Sequence, residues 1–84
     1  MYVYLVEFYV INSHDVRFGR DTEIYGSWDK ACKAVDKFKN ENIEHGCLVC
    51  YDATRENNER QVKLKDNDDI RYRAEITKFE VKQS

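Results

Sequence analysis

Cys47-Leu-Val-Cys50, with His45 two residues ahead, is the segment whose side chains come nearest to a chemistry. Two cysteines at this spacing bind zinc or cycle as a disulfide where a tight turn or a helix start brings the sulfurs together. Here Leu48 and Val49 lie between them, inside an apolar run that reads as a strand, and residues three apart on a strand point to opposite faces. A second ligand pair with its own short spacing is missing, since Cys32 and His14 stand alone. The thiols therefore read as buried packing groups, and a zinc or thiol protein built on Cys47 and Cys50 is the alternative.

Ser13-His14-Asp15 holds the residue types of a hydrolytic triad side by side, and that adjacency argues against a triad. Nucleophile, base and orienting carboxylate must converge in space, whereas neighbouring side chains diverge. With Asn12 these residues form a cluster of turn formers. There is no glycine-rich phosphate loop, and no pair of carboxylates stands out from the solvated charge. The residues specify no reaction and no cofactor, so the chain reads as a non-enzymatic protein.

Recognition is the remaining chemistry. Aromatic residues interleaved with arginine (Tyr2, Tyr4 and Phe8 with Arg71, Tyr72 and Arg73) could form a stacking platform for single-stranded nucleic acid. An RNA-recognition domain would also need a second helix and an octamer that Arg17-Phe18-Gly19-Arg20 only begins. Charge disfavours nucleic acid as well: 14 Lys and Arg stand against 16 Asp and Glu, and neither half of the chain is polarised. The acidic turn at Asp66, Asp68 and Asp69 is solvated, or docks on a basic groove of a partner. Tyr2 and Tyr4 open a strand that is apolar on both faces. If its second face stays bare, it offers the aromatic area enriched at interfaces, to a second copy or to another protein.

These residues need elements to hold them. Residues 2–11 read as a central strand, and Asn12 to Asp15 as a turn into a returning strand loosened at Gly19 by a bulge or bend. Ser27 offers an N-cap with Asp29 in the first turn. Trp28, Ala31, Cys32, Val35 and Phe38 recur at helical spacing, so one amphipathic helix follows, fraying from Asn40 and leaving through Gly46. Residues 47–53 and 60–65 read as strands joined by a turn centred on Asn57-Asn58. The last strand places Ile70, Tyr72, Ala74 and Ile76 inward, with Arg71, Arg73, Glu75 and Thr77 outward. Its apolar residues then move to Phe79 and Val81, which predicts a bulge near Thr77-Lys78. The expected fold is α+β: a mostly antiparallel sheet of about five strands with one helix, in the order ββαβββ.

Eighty-four residues make one domain, 1–84, near the lower size limit for folding without staples. Aromatic residues at 13% of the chain supply large apolar areas to a thin core. The only long apolar run, Tyr2 to Ile11, contains Glu7 and is too short for a membrane span or a cleaved leader. Three cysteines without a leader suit free thiols in a reducing compartment, which points to the cytoplasm.

The opening Tyr2-Val-Tyr-Leu-Val-Glu, the helix Ser27-Trp-Asp-Lys-Ala-Cys-Lys-Ala-Val and the closing Phe79-Glu-Val resemble small phage and mobile-element proteins of α+β type. The resemblance covers most of the chain in order of elements and carries over no catalytic residue. It implies an inhibitor that binds and blocks a host protein, including components of CRISPR and other defence systems. A small nucleic-acid-binding regulator using Arg71 and Arg73 is the competing expectation.

Overall fold

The computed structural model describes residues 1–82, which form β1 (Tyr2–Ile11), β2 (Arg17–Tyr25), α1 (Trp28–Glu44), β3 (Leu48–Arg55), β4 (Glu59–Lys65) and β5 (Arg71–Glu80). All neighbouring strands are antiparallel, in one sheet of order β2-β1-β5-β4-β3. The expected α+β order ββαβββ is therefore the observed one. Among the described residues no helix is long and apolar enough to cross a membrane.

The first and last strands pair along their whole length, from Tyr2 opposite Glu80 to Ile11 opposite Arg71. This places β5 at the centre of the sheet, and a central strand needs an unbroken ladder on both sides. The bulge expected near Thr77-Lys78 is accordingly absent. Phe79 and Val81 continue the outward phase of Arg71 and Arg73. The shift in apolar phase marks a change in what the outer face is made of, not a change of face.

Two bulges occur elsewhere. Gly19, at φ 60°, breaks the pairing of β2 with β1 between Phe8 and Val10, where glycine tolerates the left-handed conformation. Cys50 is the extra residue of β3, between the pairs Val49–Leu64 and Tyr51–Lys63. The β3–β4 turn is one residue earlier than the sequence suggests. Glu56 and Asn57 take φ 49° and 54°, and the Asn58 amide donates to the Arg55 carbonyl at 2.8 Å.

Ser27 caps α1, its Oγ accepting from the Lys30 amide at 3.2 Å. The helix runs unfrayed to Glu44, because its end is closed by two bonds around Gly46 at φ 93°. The Cys47 amide reaches the Asn42 carbonyl and the Gly46 amide the Ile43 carbonyl, each at 3.0 Å, a paired C-terminal cap. Ala31 and Val35 are buried against Val6, Phe8, Val62, Leu64, Ala74 and Ile76 of the sheet. Trp28 meets Tyr4 edge-on at 5.8 Å, and Phe38 lies 4.9 Å from the ring of Phe8.

An ion cluster invisible in the sequence ties the helix to the far side of the sheet. Arg60 of β4 is 8% exposed and donates to Asp52 of β3 through Nε and Nη2, at 3.0 and 2.9 Å. The same Nη2 reaches Asp36 of α1 at 2.8 Å, and Lys39 of α1 reaches Asp52 at 2.9 Å. A buried guanidinium needs several such acceptors to offset its lost hydration.

One helix about 10–12 Å across cannot cover both faces of five strands. The radius of gyration is 13.5 Å, against about 12 Å for a compact chain of this length. The excess goes with an elongated shape, 48 × 22 × 18 Å along its principal axes.

Candidate binding face

Cross-strand partners project to the same side of a sheet, so the register reads out the uncovered face row by row. At one end Val3 lies beside Phe79, and the next row runs Ile24, Leu5, Thr77, Glu59, Arg55. The middle row is Thr22, Glu7, Glu75, Gln61, Ala53. Then come Tyr9, Arg73, Lys63, Tyr51, and last Arg17, Ile11, Arg71, Lys65, Leu48. The face is thus apolar at one end, polar in the middle and basic at the other. Alternation of facing along each strand concealed this: β5 carries cations at one end of its outward set and Phe79 at the other.

The apolar end is open to solvent. Ile24 is 68% exposed, Phe79 48% and Met1 70%. At the basic end the cations lie over rings, with the Arg17 guanidinium 4.6 Å from the centre of Tyr9 and Lys63 5.1 Å from that of Tyr51. Tyr9 is only 5% exposed, and its hydroxyl donates to Glu75 at 2.7 Å. Burial first, then that carboxylate, raises its pKa above the usual tyrosine value. In the middle row Glu7 pairs with Arg20. At about 3.3 Å per residue and 4.8 Å between strands the bare face spans about 700 Å². That is close to the roughly 800 Å² each partner contributes to a standard-sized interface.

The residues singled out from sequence divide between the two sides. Arg71 and Arg73 stand in adjacent rows of the bare face. Tyr4 and Phe8 pack on the opposite side against Trp28 and Phe38, and Tyr72 joins the same core. The set Tyr2, Tyr4, Phe8, Tyr72, Arg71 and Arg73 therefore does not converge, because even and odd positions of paired strands face apart. Tyr2 is half exposed, with the Lys78 ammonium 4.0 Å from its ring centre. Of the acidic turn, Asp66 is structural: its Oδ1 accepts from the amides of Asp68 and Ile70 at 2.9 and 3.0 Å. Asp68 is exposed, and Asp69 pairs with Lys65 at 3.0 Å. Lys63, Lys65, Arg17 and Tyr51, which complete the basic end, are legible only once the register is known.

The thiols separate as strand geometry requires. Cys47 is buried in the core, Cys32 is half-buried, and Cys50 is exposed on its bulge, contrary to the expectation that all three pack inside. Burial raises the thiol pKa of Cys47 and Cys32, the reverse of an activated nucleophile. Cys50, being exposed, is expected to react readily with a thiol reagent in the folded protein. Cys47 should react only through global unfolding, as a timed reagent titration with mass mapping will show. No protein-family model, curated protein or solved structure matches this chain.

Proposed function

We propose that the protein is a non-enzymatic binding module that lays the bare face of its sheet against a partner protein. The observation that carries this reading is a bare face of near-interface size with exposed apolar residues at one end and cations at the other. A fixed five-stranded surface presents side chains in defined rows and loses little conformational entropy on docking. Together with the resemblance to small phage proteins, this supports an inhibitor that works by steric block of a host protein in the cytoplasm. Components of CRISPR and other defence systems are the class of target this implies.

Capture from host lysate tests it. Tagged wild-type protein is expected to retain one host protein at near-stoichiometric amounts through a salt wash. Ile24→Glu with Phe79→Glu, at two exposed positions, should release that protein while the thermal melt stays within a few degrees. No retained protein, or equal retention by the variant, overturns the reading. The basic end favours a second reading, a nucleic-acid-binding regulator. It predicts retained nucleic acid that washes off as salt rises and is lost on Arg71→Glu with Arg73→Glu.

A further inference from the structure

The turns joining β1 to β2 and β4 to β5 are built to one plan and lie side by side at the basic end. In each, an Asx side chain caps the loop: Asn12 Oδ1 accepts from the amides of His14 and Val16, as Asp66 Oδ1 does from Asp68 and Ile70. In each, the fourth residue is an aspartate in the left-handed region, Asp15 at φ 62° and Asp69 at φ 64°. Each of these aspartates pairs with a cation of the last row, Asp15 with Arg71 and Asp69 with Lys65. Neither carboxylate caps its own turn. Asparagine would suit the backbone there at least as well.

Between these two pairs the charge is unmet. Among the described residues Lys63 and Arg73 have no carboxylate partner. The Nε atoms of Arg71 and Arg73 are buried and make no hydrogen bond among the described residues. Arg17, Lys63, Lys65, Arg71 and Arg73 less the four aspartates of the two turns (Asp15, Asp66, Asp68 and Asp69) leave this end at +1 in a chain of net −2, so the remainder carries −3. The patch is small, basic and surrounded by negative charge.

From this we infer that the basic end is a docking site for an acidic segment of a partner protein, with aspartate or glutamate carboxylates seated on Arg73 and Lys63. The inference rests on the bare face being the working surface and names the chemistry of what meets it. Three features favour a protein acid over a nucleic acid. The same face continues into the apolar end about 20 Å away, six residues along β1, which a protein can match and a phosphate backbone cannot. Stacking rings are scarce at the basic end, where among the described residues of its two rows Tyr9 is covered by Arg17 and Tyr51 is the one exposed ring. A strand running past the patch would meet the negative remainder of the surface. Asp15 and Asp69 act as built-in counterions, and removing them should strengthen docking.

Fluorescence anisotropy with a labelled hexaglutamate peptide tests this, with a labelled thymidine hexanucleotide as the competing class. The wild-type chain is expected to bind the peptide with an affinity that falls as salt rises. Asp15→Asn with Asp69→Asn should tighten binding several-fold, a gain that misfolding cannot imitate. Lys63→Ser with Arg73→Ser should weaken it about tenfold or more. Peptide binding unmoved by both pairs of substitutions, no peptide binding, or tighter binding of the hexanucleotide would each overturn the inference. If the peptide fails while lysate capture still depends on Ile24 and Phe79, the acidic class is wrong and the bare-face reading stands. If both fail, both fall.

Discussion

Arg60→Ala is expected to lower the unfolding free energy by about 3 kcal/mol, at the low end of what breaking a buried ion pair costs. Arg60 is 8% exposed, and its removal leaves Asp52 of β3 held by Lys39 alone. The Asp36 partner is half exposed and adds little. A domain of this size has roughly 4–13 kcal/mol in total at 0.05–0.15 per residue, so denaturant titration should show a large shift in midpoint. The loss also has a pH signature. Hydrogen bonds from Arg60, opposed by burial and helped by Lys39, lower the Asp52 pKa from 3.8 to about 2. A carboxylate depressed on folding stabilises above its unfolded pKa, near 4, and loses that contribution as pH falls through its folded value. Asp52 should therefore contribute stability at neutral pH, reduced by solvent screening because the residue is exposed, that disappears between about pH 4 and pH 2. Stability measured against pH should fall more gently over that window in Arg60→Ala than in the wild type.

Leu64→Ala is expected to cost about 3–4 kcal/mol, within the range for emptying a leucine site in a packed core. Leu64 is 1% exposed, on β4 between Val49 and Tyr72, and is the largest of the side chains sealed in the core. With one helix on one face, the core has no second layer that could move in to fill the hole. Leu48→Ala is the internal control. It removes the same atoms from the neighbouring strand, but Leu48 is 74% exposed on the bare face. Its change should stay within about 0.5 kcal/mol. Paired thermal melts of the two variants measure both the depth of the core and the bareness of the opposite face. A costly Leu48→Ala would mean that the open face is covered.

Local chemistry fixed most of the elements in advance. The Ser27 cap, the helical spacing from Trp28 to Phe38, the turn formers at Asn12–Asp15 and the alternation along β5 are short-range signals, each set by residues within one turn or one strand. The element order and the inward set Tyr72, Ala74 and Ile76 could be read from them directly. The bulge forecast at Thr77-Lys78 failed for a physical reason: an apolar residue on a strand reports burial or a bare apolar face equally. Phe79 belongs to the second. Which strands become neighbours is decided by packing between segments far apart in the chain. The pairing of β1 with β5 brings Tyr9 to Arg73, and β4 adds Lys63 and Lys65 from another part of the sequence. A chain whose halves are each electrically balanced thereby gains one face with a basic end. The Arg60 cluster, with partners 8 and 24 residues away, arises the same way. What the sequence by itself determined is the set of elements and the side of each that carries the core. Only the tertiary structure decided which outward side chains stand together, because register and strand order, not proximity along the chain, set their distances.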